Sequence, residues 1–251
     1  MALGPKKVMK MATGKKSKKL NITDIELKED EFSIEDLSLD NDNHLKLKTI
    51  LDSVSSCQIS DAYNKLYRDS GVIKGLKSIT GVKGYGKIKT CLTGANDWGT
   101  AVAGIDYTGK KEVLFIKTSE EKIAVWGELA STCAKKEELA AVAVYGHMRD
   151  IDVIRYMDYP LFCTDYCPNA GTSLGTGKLN TELEIDGTTI EDGDFFFGDE
   201  NGVVVIAKEK FNEVIIETLN IKLKEENILK SLNEGKTLAE IANVKDNFKK
   251  D

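Results

Sequence analysis

The segment 127-GELASTCAKKEELAAVAVYGHMRD-150 holds a helix-length stretch, 128–136, followed by a run of small and apolar residues, 140–146, that stops on an arginine beside an aspartate. A helix opening at Glu128 and rising ~1.5 Å per residue carries the chain ~15 Å away, and a strand at ~3.3 Å per residue brings it back across a sheet. Helix start and strand end therefore meet on one edge. In open α/β sheets that edge, outside the carboxyl ends of parallel strands, is where ligands bind. Twenty residues lie between Glu128 and Arg149, the length this round trip needs.

The cluster so assembled is two carboxylates (Glu128 and Asp150), a guanidinium (Arg149) and the free N–H groups of a helix N-terminus around Gly127, Glu128, Leu129 and Ala130. Free amides at a helix start favour a small anion, and a guanidinium grips a carboxylate bidentately. Two carboxylates with waters suit a hard divalent cation such as Mg²⁺. Arginine is scarce here, with Arg68, Arg149 and Arg155 the only three among 35 basic residues, and lysine cannot copy its planar fork. A plainer reading stays open: Glu128 as a first-turn acid, Asp150 as the N-cap of the next helix, Arg149 as their counter-ion.

Outward from this unit, strands and helices alternate: strand 87–93, helix 97–105, strand 112–117, helix 128–136, strand 140–146, helix 151–157, strand 160–164. Alternation of this kind implies parallel strands joined by helical crossovers. Upstream, 44–55 and 60–67 read as helices, the second with Ser60 as N-cap. After about residue 176 short β-rich runs are separated by Asp186-Gly187, Asp192-Gly193 and Asn201-Gly202, which are hairpin signals because Gly tolerates positive φ. The expected fold class is α/β: parallel strand-helix units, then an antiparallel β layer, then a long C-terminal helix over about 209–233 and a short one over 237–244.

A chain of 251 residues, 41% hydrophobic and 30% charged, suits one substantial domain, expected over 44–251. Residues 1–43 read as a charged, disordered extension. The first twenty are lysine-rich without an acid, and the next turn acidic through 29-EDE-31 and 35-ED-36, with no periodicity. The absence of arginine counts against an organelle presequence. A net charge of −6 argues against nucleic acid as the main partner, because phosphate binding needs a basic face. Five cysteines at irregular spacings read as reduced thiols, and Cys163 with Cys167 lacks the second pair or histidine that a zinc site needs. No run approaches the ~18 apolar residues of a membrane span and no secretory core precedes the domain, so a cytoplasmic location is expected.

Several stretches together resemble one family. They are 55-SSCQISDAY-63, 127-GELA-130, 145-YGHMRDIDVI-154, 159-YPLF-162 and 192-DGDFFFGDENGVVVIA-207, which cover roughly residues 50–235 in order. The chain resembles the RraA-like family, which includes the 4-hydroxy-4-methyl-2-oxoglutarate aldolases. The resemblance implies a β/β/α swivelling-domain fold, a homotrimer or homohexamer with sites between subunits, and a divalent cation, Mg²⁺ or Mn²⁺. It implies that Asp150 binds the metal and that Arg149 binds pyruvate and its enolate. Glu128 would act on the metal through water, and Gly127, Leu129 and Ala130 would help hold substrate. Glu225, in 222-KLKEEN-227, is the best match to a glutamate that approaches the metal from a neighbouring subunit. The family more often has Asp where this chain has Glu128, and the exchange lengthens the arm by one methylene.

The implied activity is retro-aldol cleavage of 4-hydroxy-2-oxo acids to pyruvate, with oxaloacetate decarboxylation as a side activity. The alternative is a non-catalytic regulator that binds an endoribonuclease, which would make an RNA-processing protein the partner. Those relatives lack the aspartate of the Arg-Asp pair, so Asp150 favours the enzyme. Other candidates are fainter. His147 shares a strand face with Arg149, and a packing role is expected for it. The loop 171-GTSLGTG-177 lacks the ending of a phosphate loop and reads as a connection. Asn96 and Asp97 either line a substrate pocket or cap the helix that follows.

Overall fold

In a computed structural model, described for residues 20–28 and 32–248, two helices open the globular part, α1 (Asp42–Ser53) and α2 (Ser56–Tyr67). Then come β1 (Lys77–Ser78), β2 (Gly84–Leu92), α3 (Trp98–Asp106), β3 (Val113–Lys117), β4 (Ala124–Trp126), α4 (Glu128–Lys136), β5 (Ala141–Met148), α5 (Ile151–Ile154) and β6 (Leu161–Tyr166). Short strands β7 (Lys178–Leu179), β8 (Leu183–Ile185), β9 (Thr188–Ile190), β10 (Phe195–Asp199) and β11 (Gly202–Ile206) follow, and then α6 (Phe211–Asn233) and α7 (Leu238–Ile241).

The expected parallel unit is present. Strands β2, β3, β5 and β6 pair in parallel, and β4 runs parallel to the carboxyl-terminal half of β5, beyond the point where β3 ends. The antiparallel part expected after residue 176 is present too, most of it joined to the same sheet. Among the described residues only the β8–β9 hairpin forms a separate sheet; β10 pairs antiparallel with β2, and β11 extends the same nine-stranded sheet. The turn dipeptides place the hairpins, but they carry no information about which distant strand receives them.

Period-two alternation builds three apolar cores. On β3, Leu114 and Ile116 face α3 and α4, whereas Val113 and Phe115 face the interior of the curled sheet. On β5, Val142 and Val144 face the helices while Ala141 and Ala143 face that interior. On β10, Phe196 points into the same interior, and Phe195 and Phe197 point the other way, into a core made with α1, α2 and α6. All three phenylalanines are fully buried, and each such side chain contributes about 2–3 kcal/mol of transfer free energy.

Two expectations need correction. The segment described before residue 43 is packed: Ile25, Phe32, Ile34 and Leu37 are buried against Phe211 and its neighbours, and Asp36 accepts hydrogen bonds from Ser33 N and Asn41 Nδ2, both at 2.8 Å. Residues 1–19 lie outside the described residues. The N-cap of α2 is Ser55, which forms a capping box with Gln58, and Ser60 sits inside the helix, its hydroxyl donating to Ser70 O at 2.9 Å. All five cysteines are free, and burial pushes the Cys91 and Cys163 thiols up to about 12. Among the described residues no helix is long and apolar enough to cross a membrane.

Candidate active site

Parallel pairing of β4 with β5 puts Trp126 opposite Met148, so the residue after each strand lands beside the other. Arg149 N–H donates to Trp126 O at 2.9 Å. Asp150 then takes up a left-handed backbone conformation, φ 59°, which Asp and Asn adopt more readily than most residues. Its carboxylate consequently turns back toward α4. Glu128 N–H donates to Asp150 Oδ2 at 3.1 Å, whereas Asp150 makes no side-chain cap to α5. Asp150 is the N-cap residue of α5 by position, its carbonyl accepting Val153 and Ile154 N–H, but its carboxylate bonds to the start of α4, the helix before it in the chain.

Gly127 makes this approach possible. A Cβ there would lie 2.5 Å from Asp150 Oδ2 and 3.1 Å from Arg149 Cγ. Its φ of −164° is extended backbone open to any residue, so the requirement is for space. Arg149 Nε lies 3.6 Å from Asp150 Oδ2, with the two side chains 44% and 37% exposed. An ion pair this open contributes at most about 1 kcal/mol. Stability therefore does not account for the pair.

Arg149, Asp150, Gly127, Leu129 and Ala130 all line one cavity of about 160 Å³. Its back wall is Trp98 and Val102 from α3 with Val125 and Trp126 from β4. Among the described residues, the Leu129 and Ala130 N–H groups have no hydrogen-bond partner, so two donors of the α4 N-terminus are open to an anion.

The other candidates fall elsewhere. Glu128 supplies its main-chain N–H, but its carboxylate does not line the cavity and makes no ion pair with Arg149. Glu225 is hydrogen-bonded to Gln58 of its own chain, between α2 and α6. His147 points away from the cavity, with Nε2 3.8 Å from Asp165 Oδ2 and Nδ1 buried without a partner. Asn96 contributes its carbonyl, which accepts Thr172 N–H at 2.8 Å.

Asp97 is the N-cap of α3 and is 2% exposed. Its Oδ1 accepts from Thr100 N (3.2 Å), Leu174 N (2.9 Å) and Gly175 N (2.9 Å), and its Oδ2 from Thr100 Oγ1 (2.7 Å), Thr176 N (2.8 Å) and Thr176 Oγ1 (3.1 Å). Burial alone would raise this carboxyl, but the main-chain donors of Gly175 and Thr176, helped by Thr100, outweigh it and hold the group well below the usual carboxylate range. The glycine-rich loop is thus a connection, as expected, and Asp97 clamps it. Trp98 extends the clamp by donating Nε1–H to Gly171 O at 3.1 Å. Sequence reading stopped one residue short of Trp98, although 94-GANDW-98 contained it.

Among the described residues no three His, Cys, Asp or Glu side chains converge as a metal cluster. Asp150 Oδ1, however, carries no hydrogen bond. One free carboxylate oxygen beside a cavity fits a hard cation that keeps most of its ligands as water.

The family described as RraA-like, Aldolase/RraA, matches residues 56–205, a span from the start of α2 into β11 that includes every cavity residue named above. The chain belongs to the RraA-like family. An uncharacterised protein from Methanocaldococcus jannaschii is 36% identical over 180 residues, covering 68% of this chain and 86% of its own. A Halalkalibacterium halodurans protein provisionally named 4-hydroxy-4-methyl-2-oxoglutarate aldolase is 29% identical over 159 residues, or 62% of this chain and 74% of the relative. Among solved structures, the RNA-processing inhibitor RraA from Thermus thermophilus superposes with a TM-score of 0.53 at 21% identity, covering 59% of this chain and 91% of its own. The RraA-like fold therefore holds for this chain, and the family contains members with aldolase names and members with regulator names.

Proposed function

We propose that the protein is a divalent-metal-dependent carbon–carbon lyase that cleaves 4-hydroxy-2-oxo acids to pyruvate and a second carbonyl compound, with oxaloacetate decarboxylation as a side activity. The observation that carries this reading is the meeting of Arg149, Asp150 with its free Oδ1, and the open N–H groups of Leu129 and Ala130 at one small cavity. In retro-aldol cleavage the C4 hydroxyl loses its proton, the C3–C4 bond breaks, and its electrons flow into the C2 carbonyl to give pyruvate enolate. Decarboxylation delivers electrons to the same oxygen. Both reactions ask for positive charge at one place.

Arg149 stands where it can take that charge or the adjacent carboxylate through two N–H donors, and the α4 amides offer further donors to the carboxylate. Asp150 Oδ1 would hold Mg²⁺ or Mn²⁺, with Glu128 acting through water and Glu225 of a neighbouring subunit as a further ligand. The cation, when bound, supplies a Lewis acid for the substrate oxygen. Such stabilisation amounts to several kcal/mol, at ~1.4 kcal/mol per tenfold in rate. Among the described residues Asp150 is the one carboxylate lining the cavity, and a homotrimer or homohexamer with sites at subunit boundaries would let a neighbour add a ligand to the waters.

Incubation with oxaloacetate, with and without EDTA, tests the reading: pyruvate should form and EDTA should stop it. Absent or EDTA-insensitive pyruvate formation would overturn it. The second reading is contact with an RNA-processing protein, for which the net charge of −6 would suit a basic partner. Asp150 ranks it below the lyase, and a pull-down recovering no RNA-degradation component would remove it.

A further inference from the structure

One stretch of chain touches both walls of the cavity. Ala170 lies in the lining, and residues 169–172 run as an extended bridge between β4 and the start of α3. On one side Ala124 N–H donates to Asn169 O at 2.9 Å, and β4 ends on Trp126, whose carbonyl accepts Arg149 N–H at 2.9 Å. On the other side Thr172 O accepts the Trp98 main-chain N–H at 3.0 Å, and Gly171 O accepts its indole N–H at 3.1 Å. Asp97 fastens the residues that follow. Of the six hydrogen bonds its carboxylate accepts, three come from the main chain of Leu174, Gly175 and Thr176. Gly99 gives the loop room, since a Cβ there would lie 2.8 Å from the main-chain carbonyl carbon of Ser173.

We infer, resting on the lyase reading for the consequence in turnover, that Asp97 is a positioning residue for this site. Without lining the cavity, it pins residues 169–176 and so fixes Trp98 on one wall and β4, with the Arg149 main chain, on the other. A carboxylate suits the task, because it only accepts and each of its six partners is a donor. A wall fixed before substrate arrives spares the ordering cost of a loop that closes on binding. It also holds the reacting groups in register, where a displacement of about 1 Å can cost about 100-fold in rate.

Three variants separate this role from plain helix capping. Asp97→Ser keeps an N-cap acceptor for Thr100 N–H but has one oxygen where helix and loop together use two. Asp97→Asn keeps one acceptor oxygen and turns an N–H₂ donor toward other donors. Gly99→Ala leaves Asp97 intact, favours the helix and displaces the loop at Ser173. Of the chain's two tryptophans Trp126 is 2% exposed and Trp98 36%, so acrylamide quenching of intrinsic fluorescence reports mainly Trp98. At a temperature where every variant is folded, all three should be quenched more strongly than the parent. Oxalate, a planar analogue of pyruvate enolate, should bind the full chain with Mg²⁺ more weakly, and kcat/KM for oxaloacetate should fall about 10–100-fold, mostly through KM. Mg²⁺ affinity should stay near that of the parent. Asp97→Ser with the quenching and kinetics of the parent would overturn the inference by reducing Asp97 to a helix cap. Gly99→Ala with parental behaviour would overturn it by showing that the placement of the loop is immaterial, and this variant carries the test if the Asp97 variants do not fold. Absence of pyruvate from the parent would overturn the lyase reading, and the quenching comparison would still decide whether Asp97 holds Trp98.

Discussion

Asp150 Oδ2 accepts the Glu128 N–H at 3.1 Å and so ties the end of β5 to the start of α4, while Oδ1 of the same carboxylate is left without a hydrogen bond. The two oxygens have separable jobs. Asn in place of Asp150 keeps an acceptor for Glu128 N–H and tolerates φ near +60°, so Asp150→Asn should melt within about 1 kcal/mol of the parent. It should bind Mg²⁺ much more weakly in a calorimetric titration and lose at least a hundredfold in pyruvate formation. A variant that binds Mg²⁺ and turns over oxaloacetate like the parent would end the case for this site.

Arg149 makes only an open ion pair, so its replacement should spare the fold. Arg149→Lys retains charge and loses the planar fork. Metal affinity should be unchanged and kcat/KM should fall about 10–100-fold, the loss of about 1.5–3 kcal/mol that goes with a charge-assisted bidentate contact. Parallel Mg²⁺ titrations and steady-state kinetics separate this pattern from that of Asp150→Asn.

Gly127→Ala tests spacing alone. The new methyl would lie 2.5 Å from Asp150 Oδ2, so the carboxylate must move and the hydrogen bond to Glu128 must break. Activity and Mg²⁺ affinity should both drop, at a stability cost of about 1–2 kcal/mol. Unchanged kinetics would show that the glycine serves no close approach.

Asp97 links pH to the cavity wall. Its folded carboxyl is held below the unfolded value of about 3.9, so its contribution to stability is complete above that value and is lost as pH falls through the folded one. Asp97→Asn should therefore lower stability by about 2–3 kcal/mol, from buried donors left facing an amide. The gap in melting temperature should be constant from pH 5 to 8 and begin to narrow as pH falls below about 4, continuing to shrink toward the folded value. A gap that persists undiminished well below pH 4 would show that the ionised carboxylate is not what the loop requires.

Strong periodicity made the parallel unit readable. Buried strands such as 113–117 and 141–148, with a helix between them, leave few alternatives, and the round-trip length fixed where Arg149 and Gly127 would meet. What escaped is what depends on distant partners. Strand β4 is three residues long and is held by β5, which follows it in the chain. Phe32, Ile34 and Leu37 sit among acids, and their burial depends on α6, nearly 180 residues later. The direction of the Glu128 side chain is a rotamer, which spacing cannot supply. Ser55 could have been found, since 55-SSCQ-58 is a capping box in plain sight.

The wall formed by β10 has a consequence for how the protein is made. Helices α1 and α2 pack on Phe195 and Phe197, and Ser56 bonds to Asp199 across 143 positions. On the ribosome these helices emerge early and wait, their apolar faces uncovered, while the parallel strands from β2 to β6 have neighbours of their own to pair with. Closing that long loop comes late. Helices α1 and α2, which precede every strand of the sheet, should thus be among the last elements of this fold to become stable.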